Sequence, residues 1–405
     1  MWWQAPPRKG TEAARRAFLR LHPGTRIREL PPLGCPNCRR LIHFEARVCP
    51  ACHFTLGYDP ASDSFLFLGD KLTTWRDAAG EAHDVVVCAN NGALDICNWL
   101  VDVGDVSQLC RACRHNHIIP DLSVSGVPER WAKIEAAKRR LIHTLLRLGL
   151  PLETRAERPD GLAFDFLYDA SAEASGQPLV LTGHNGGLIT LNVIEADDVQ
   201  RERIRREMGE PYRTLLGHFR HEIGHHYWER LVKGTAEHEG FRLIFGDETI
   251  DYQQALQNHY AAAGTTAGAA ATWNDDFVSV YACSHPWEDF AETFAHLLHM
   301  VDTLATIGGF GASLAPFPGP EAHAGPQVAF DPYTASVAEL ANQWIPFSFA
   351  LNSINRSMGQ PDLYPFHLSP TIIAKLDFVG GVVARAAGRG QAPGAHSTGA
   401  TSTET

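Results

Sequence analysis

The amino-acid sequence predicts an α+β fold in which a cysteine-rich N-terminal region precedes a mainly helical domain with a small sheet. Eight of the nine cysteines fall between positions 35 and 113, and from residue 128 onward apolar residues recur at helical spacing. Short apolar runs bounded by turn residues interrupt the helical pattern and are typical of strands.

Hydrophobic periodicity predicts the individual elements. The segment 128–149 is predicted to be a helix, because its large apolar residues share one face and Pro151 follows it. Short strands are predicted at 64–68, 178–181 and 187–193, the last after the turn signal Asn185-Gly186. Further helices are predicted from Glu195, from near Pro211, and at 287–305, 334–355 and 369–387.

Composition and charge favour a soluble globular protein of two or three domains. The chain has 405 residues, 44% of them hydrophobic, and a formal net charge of −11, which disfavours general attraction to nucleic acid or anionic membranes. The sequence shows neither a membrane-spanning apolar run nor a secretory signal, so we expect a cytoplasmic protein without a membrane partner. Residues 1–52 carry +7, however, which allows an anionic partner at this basic N-terminal region.

The first four cysteines have the spacing of a zinc ribbon. Cys35, Cys38, Cys49 and Cys52 form two C-x-x-C pairs joined by a short segment, which can place four thiolates around one structural Zn²⁺. The alternative is a pair of disulfides in a secreted domain.

A second four-cysteine zinc site is predicted from Cys88, Cys97, Cys110 and Cys113. Its second pair is a regular C-x-x-C, whereas the first pair is irregularly spaced. The alternative is a group of four reduced thiols. The nearby histidines at positions 83, 115 and 117 are additional candidate ligands, which we interpret as surface residues. The ninth cysteine, Cys283, is interpreted as a small buried hydrophobic residue.

These patterns divide the chain into four parts. Residues 1–33 are predicted to form a poorly ordered basic extension, and residues 34–125 a zinc-ribbon region with two four-cysteine sites. Residues 126–387 form the helical domain. Residues 388–405 are rich in small polar residues and are predicted to be a disordered tail.

The stretch His221-Glu222-Ile223-Gly224-His225 matches H-E-x-x-H inside a predicted helix. Residues i and i+4 lie on the same helix face, so both imidazoles can bind one Zn²⁺ while Glu222 accepts a proton from water. His218 and His226 are interpreted as solvent-facing or supporting residues. The alternative is a chance occurrence of the motif in a chain with 20 histidines.

A zinc ion held by two histidines in a catalytic site needs a third protein ligand. Glu288 and Glu292 share a face of a later predicted helix, so Glu288 can bind the metal while Glu292 accepts the N–H of a ligating imidazole. Asp289 is the rival third ligand. The alternative is a solvated acidic helix start, against which the flanking aromatic residues argue.

The segments around these residues resemble the gluzincin arrangement of the anthrax lethal factor catalytic domain. In that domain an H-E-F-G-H helix precedes an E-F-F-A-E-A-F helix, and a tyrosine stands seven residues before the zinc-binding glutamate. This chain has Glu288-Asp-Phe-Ala-Glu292-Thr-Phe, and Tyr281 stands seven residues before Glu288.

The chain is more closely similar to a bacterial family of zinc-dependent metallopeptidases with an N-terminal zinc ribbon. The similarity covers about 34–387 and is carried by the segments Cys97–Leu100, Ile119–Ser123, Gly187–Asn192, Phe219–His225, Phe245–Asp247, His285–Asp289 and Ser357–Gln360.

The resemblance implies a zincin-like metallopeptidase domain with one catalytic Zn²⁺ in addition to two structural ones. His221, His225 and Glu288 would bind the catalytic ion, Glu222 would act as general base and Tyr281 would stabilise the oxyanion. The strand 187–193 would offer an edge to an extended peptide, with substrate-binding residues Gly187, Leu188, Thr190 and Asn192.

Three functions stay open at this stage. The first is a zinc endopeptidase acting on a peptide or protein substrate. The second is a nucleic-acid-associated factor or protease docked through the ribbon. The third is a non-catalytic interaction protein stabilised by zinc, against which the intact Glu222 argues.

Overall fold

The computed structural model describes residues 34–68, 73–77, 80–91, 96–168, 182–207, 213–263, 273–315 and 325–389. The predicted extension 1–33, the predicted strand 178–181 and the tail beyond 389 lie outside these ranges. Within them, small sheets precede a mainly helical part, which confirms the predicted α+β class. None of the helices in these ranges combines the length and hydropathy needed to cross a membrane.

Two antiparallel sheets build the cysteine-rich region. Strands β1 (Leu56–Asp59) and β2 (Ser64–Phe67) form a hairpin, whereas β3 (Thr73–Arg76), β4 (Ala82–Val87) and β5 (Leu100–Asp102) form a three-stranded sheet in sequence order. Such short strands contribute little stability alone, so the region depends on side-chain packing and on its cysteine sites.

An aromatic cluster joins this region to the first long helix, α1 (Val127–Leu148). Tyr58 of β1 and Trp99 beside β5 are fully buried with ring centroids 5.2 Å apart, and Phe44 packs against both. The ring of His143 on α1 lies 5.1 Å from that of Phe44. The buried residues form one continuous cluster that crosses the predicted domain boundary near residue 125.

A mixed four-stranded sheet supports the helices. Its strands are β6 (Asn116–Ile118), β7 (Ala163–Leu167), β8 (Gly183–Asn185) and β9 (Leu188–Asn192), paired in the order β6-β7-β9-β8, with β8 antiparallel to β9. A turn with positive φ at Gly186 and Gly187 connects β8 to β9, as the sequence predicts. Because β9 pairs on both sides, the edges among the described strands are β6 and β8, and the predicted edge at 187–193 is wrong.

Helices make up most of the remaining described chain. They are α2 (Asp198–Glu207), α3 (Leu215–Leu231), α4 (Glu237–Phe245), α5 (Tyr252–Ala263), the single turn α6 (Trp273–Asp276), α7 (Pro286–Gly309), α8 (Val337–Ser357) and α9 (Pro370–Ala386). The side chains of Thr214, His285 and Ser369 accept backbone N–H groups and so cap α3, α7 and α9. The cap at Thr214 explains why α3 begins later than the predicted start near Pro211.

Helices α3 and α7 touch through their backbones. A Cβ atom added to Gly224 of α3 would lie 2.8 Å from Ala291 Cα and 3.0 Å from Ala291 O of α7. Glycine in a helix costs about 1 kcal/mol relative to alanine. At position 224 that lower helix propensity is accepted because only glycine lets the two helix backbones come this close. Phe294 of α7 stacks on Tyr227 of α3 beside this contact, at 5.6 Å between centroids.

A partly buried carboxylate fastens the same helix pair to α1. Asp302 of α7 accepts hydrogen bonds from Arg220 of α3, from Thr144 Oγ1 of α1 at 2.7 Å and from Tyr333 Oη at 3.0 Å. These three donors come from three different segments, so they fix the helices relative to one another. Arg220 directly precedes His221, so the network also fixes the start of the H-E-x-x-H segment.

We predict that Gly224→Ala forces α3 and α7 apart, because the new methyl group meets backbone atoms that cannot rotate away. The free energy of unfolding should fall by about 1–3 kcal/mol, as in other overpacked cores. Denaturant melts measure this change. Gly240→Ala in α4 is the matched control, since its Cβ would meet only the tip of the Phe378 ring at 3.1 Å. An unchanged melt for Gly224→Ala would contradict the backbone contact.

Candidate metal centres and catalytic cleft

The first four cysteines converge on one point. The Sγ atoms of Cys35 and Cys52 lie 3.6 Å apart, as do those of Cys38 and Cys49, and all four lie within 4.8 Å of one another. Four sulfurs bound tetrahedrally to Zn²⁺ at about 2.3 Å lie about 3.8 Å apart. The donor set and its spacing fit a structural zinc ion.

The second four cysteines converge as well, despite their irregular spacing. Cys88, Cys97, Cys110 and Cys113 are all buried, and the Sγ atoms of Cys97 and Cys110 lie 3.7 Å apart. The backbone N–H of Cys110 donates to Cys88 Sγ at 3.3 Å, and that of Trp99 donates to Cys97 Sγ at 3.4 Å. Amide donors of this kind stabilise thiolates, so this group also fits zinc.

The spare histidines near these sites have other partners. His83 Nε2 lies 3.3 Å from an Asp77 carboxylate oxygen, and His117 Nδ1 lies 2.7 Å from an Asp165 carboxylate oxygen. His115 is buried, contrary to its predicted surface position, and its Nδ1 lies 3.0 Å from a backbone carbonyl oxygen. A second correction concerns Cys283, which is exposed and not buried.

The second cysteine site rests on α1 through a buried ion pair that the sequence analysis missed. Glu135 Oε2 lies 3.8 Å from Cys113 Sγ, and Lys138 Nζ donates to Glu135 Oε1 at 2.6 Å. Both side chains of the pair are fully buried. Glu135 and Cys113 are 22 residues apart in the sequence. Helical spacing alone therefore does not predict that they touch.

The H-E-x-x-H histidines and Glu288 form a compact triangle of donor atoms. His221 Nε2 and His225 Nε2 lie 3.1 Å apart, and Glu288 Oε2 lies 3.0 Å from the first and 3.3 Å from the second. Three ligands of a tetrahedral ion at about 2.0–2.1 Å lie about 3.3 Å apart. Glu288 Oε2 is buried and accepts no hydrogen bond from the part of the chain that the structure describes, so it fits a metal ligand.

Glu292 holds one of the two imidazoles from behind. Its Oε1 lies 2.7 Å from His221 Nδ1, and Ser279 Oγ donates to its Oε2 at 2.6 Å. Burial raises the pKa of Glu292, but the hydrogen bond and charge of His221, together with His296 and Ser279, outweigh burial and lower that pKa to about 2. The ionised carboxylate fixes the proton of His221 on Nδ1 and leaves Nε2 as a lone-pair donor.

Glu288 and its rival Asp289 face different surroundings. Tyr252 Oη donates to Glu288 Oε1 at 2.6 Å, which leaves Oε2 to face the histidines. Asp289 instead accepts a hydrogen bond from Lys375 Nζ of α9 at 2.6 Å, and both side chains are buried. The structure therefore brings Glu288, and not Asp289, to the two imidazoles.

Glu222 lies beside a histidine with its own carboxylate partner. His218 Nε2 is 3.8 Å from Glu222 Oε1, and His218 Nδ1 is 2.6 Å from Glu195 Oε2. Burial lowers the pKa of His218, but the Glu195 carboxylate outweighs it, so the net shift is upward. His218 thus lies between the carboxylates of Glu195 and Glu222, whereas His226 is buried in the core.

Tyr281 lies close to the same imidazoles. Its ring centroid is 5.7 Å from that of His221, and the residue is partly buried. Burial, followed by the charge of Glu288, raises the pKa of Tyr281 above its usual value, so the phenol stays a hydrogen-bond donor.

The four predicted substrate-binding residues lie within or beside β9. Asn192 is buried and its side chain accepts the N–H of Ile194, so it caps the turn after the strand. Gly187 has a φ of 82° and its N–H donates to His184 Nε2 at 3.0 Å. Leu188 and Thr190 pair with β8 through their backbones. The strand edge next to α3 therefore belongs to β8, where His184 lies 6.4 Å from the ring of His225.

The two parts of the chain each match a known family. Residues 128–382 match the family described as "Putative zinc-binding metallo-peptidase", and residues 33–124 match a zinc-ribbon domain. The chain belongs to this zinc-binding metallopeptidase family. It is 42% identical over 352 residues to uncharacterized proteins of Mycobacterium bovis and of two Mycobacterium tuberculosis strains, which covers 86% of this chain and 94% of each relative. The comparison with solved structures gave no match.

Membership in the metallopeptidase family confirms the resemblance inferred from the sequence, including the zinc ribbon. The likeness to anthrax lethal factor is a narrower statement that these matches do not test, and it stays a prediction.

We predict that the purified protein carries about three Zn²⁺ per chain, two in the cysteine sites and one at the histidine site. Elemental analysis of protein prepared without chelator measures this number. Cys35→Ser should damage folding, because the ribbon depends on its metal. His221→Ala should lose one zinc with the fold kept. One zinc or none in the unmodified protein would reject the assignment.

The two glutamates of α7 should differ in their effects on the histidine site. Glu288→Ala should abolish zinc binding there, because it removes one of three ligands. Glu292→Ala should weaken zinc affinity by about 10–100-fold, because it only frees the His221 ring. Competition with a chelating dye measures both affinities. Retention of full affinity by Glu288→Ala would show that the ligand set is different.

Proposed function

We propose that the protein is a zinc-dependent metallopeptidase that hydrolyses peptide bonds with Glu222 as the general base. The observation that supports this most strongly is the triangle of His221 Nε2, His225 Nε2 and Glu288 Oε2, with sides of 3.0–3.3 Å. Three protein ligands leave a tetrahedral zinc ion one position for water, which is the pattern of catalytic and not of structural sites.

Zinc bound by these three residues would lower the pKa of an attacking water towards about 7. Glu222 accepts the proton of that water and passes it to the leaving nitrogen. Tyr281, which stays protonated, donates a hydrogen bond to the oxygen of the scissile carbonyl as it becomes negative. His218, whose Nε2 lies 3.8 Å from Glu222 Oε1, flanks the general base and can orient its carboxylate.

The substrate that we propose is an extended peptide or protein segment bound along β8. Among the described strands β8 is an edge strand, and its His184 lies 6.4 Å from the ring of His225, so an extended peptide could pair with its outer side. Main-chain pairing does not need a chain terminus, and we therefore propose an endopeptidase.

We further propose residues 34–125 as a structural zinc-ribbon domain and residues 126–387 as the zincin-like peptidase domain. Eight cysteines placed for metal binding need a reducing compartment, which favours the cytoplasm.

Glu222→Gln should retain zinc and peptide binding but lose hydrolysis by about 10²–10⁴-fold or more, because an amide cannot accept the proton of the water. Tyr281→Phe should lower kcat more than it changes KM, since the oxyanion forms only in the transition state. Proteome-wide cleavage profiles of the wild type against Glu222→Gln supply the substrates for both assays.

Chelator treatment provides the matched control. The wild type should lose activity with chelator and regain it with Zn²⁺, whereas Glu222→Gln should stay inactive in both conditions. Cleavage by Glu222→Gln at the wild-type rate would exclude the metallopeptidase mechanism and favour a non-catalytic, zinc-stabilised interaction protein.

A further inference from the structure

The hydroxyl group of Tyr252 has a role that the H-E-x-x-H motif does not contain. We propose that Tyr252 is a positioning residue that makes Glu288 bind the metal through one oxygen and so keeps the site four-coordinate, with one position for water. The proposal deepens the function proposed above and rests on it.

The two oxygens of Glu288 face different partners. Oε1 accepts the hydrogen bond of Tyr252 Oη at 2.6 Å, whereas Oε2 lies 3.0 and 3.3 Å from the Nε2 atoms of His221 and His225. A carboxylate with both oxygens free can bind a metal ion through both. With two imidazoles and a water also bound, a second carboxylate oxygen would make the ion five-coordinate and would weaken its bond to the water that catalysis needs. The hydrogen bond that Oε1 accepts from Tyr252 disfavours this second bond.

Tyr252 is held in place by the helix that carries Glu288. Its ring lies 5.2 Å from that of His285 and 5.7 Å from that of Trp287, at the start of α7. His285 Nδ1 accepts the N–H of Trp287, while its Nε2 lies 3.3 Å from the carbonyl oxygen of Ile250. The neutral tautomer protonated on Nε2 satisfies both contacts. The hydroxyl is therefore placed by the same residues that begin the ligand helix.

This contact also separates the roles of two neighbouring tyrosines. A phenol has one hydrogen to donate, and Tyr252 donates it to Glu288. It cannot donate the same hydrogen to an oxyanion. We assign that task to Tyr281, whose ring lies 5.7 Å from that of His221, so Tyr252 acts through the metal ligand and Tyr281 acts on the substrate.

Cobalt spectroscopy of the full-length protein tests the proposal. Mild chelation removes zinc from the histidine site only, which two remaining zinc ions per chain verify, and Co²⁺ is then added. Four-coordinate Co²⁺ absorbs visible light much more strongly than five-coordinate Co²⁺. The wild type should show the strong spectrum. Tyr252→Phe should show a severalfold weaker one, because Glu288 binds through both oxygens, and activity should fall by about 10–100-fold.

Two controls make the result specific. Tyr227→Phe removes a tyrosine hydroxyl of α3 that donates to the Pro151 carbonyl at 2.9 Å, away from the metal, and should keep the wild-type spectrum. His221→Ala should give no cobalt spectrum at all.

A wild-type spectrum in Tyr252→Phe, with two zinc ions retained, would overturn the role of Tyr252. If His221→Ala abolishes cobalt binding in that experiment, the metallopeptidase site stands and only the positioning role fails. If His221→Ala keeps the cobalt spectrum, the proposed metal site is wrong, and the role of Tyr252 falls with it.

Discussion

The backbone contact between α3 and α7 is the constraint on which the candidate site depends. Two of the proposed ligands lie on α3 and the third on α7, so the distance between the helices sets the size of the ligand triangle. Its sides of 3.0–3.3 Å leave little tolerance, because metal–ligand distances vary by only about 0.2 Å. Gly224 allows this approach by bringing the α3 backbone against Ala291. The glycine of the motif is thus a packing residue, whereas its histidines and glutamate are the groups proposed to do the chemistry.

The close helix pair also creates an electrostatic demand that a divalent cation meets. With neutral imidazoles, the buried Glu288 and the partly buried Glu292 leave two negative charges close together. An uncompensated buried charge is costly, and Zn²⁺ would supply two positive charges at Glu288 Oε2, which has no hydrogen-bond donor among the described residues. The carboxylates farther from the triangle have their own partners: Glu195 has His218, Asp289 has Lys375 and Asp302 has Arg220. Charge balance therefore supports the triangle as the proposed place for the metal.

Local spacing explains what the sequence predicts well. The cysteine pairs, the i and i+4 histidines, and Glu288 with Glu292 are set by turn and helix geometry, which a few residues determine. The contacts that it does not predict join distant segments: Tyr252 to Glu288 across 36 residues, Asp289 to Lys375 across 86, and Asp302 to Thr144 across 158. The misplaced sheet edge has the same origin, because β9 forms its parallel pairing with β7, a strand that its own pattern does not identify.

A continuous set of contacts connects the ribbon to the candidate site. Asp63, after β1, accepts hydrogen bonds from Tyr58 and from His143 and Arg147 of α1. The guanidinium of Arg147 lies over the ring of Tyr333, whose hydroxyl donates to Asp302, which in turn binds the Arg220 beside His221. The aromatic cluster around Trp99 adds apolar area to the same interface. An independent docking module would be joined by a linker with few contacts, whereas many contacts join the ribbon to the helical part. Loss of zinc from the cysteine sites would therefore remove support from α1 and from the ligand helix α3, and would not release an intact peptidase domain.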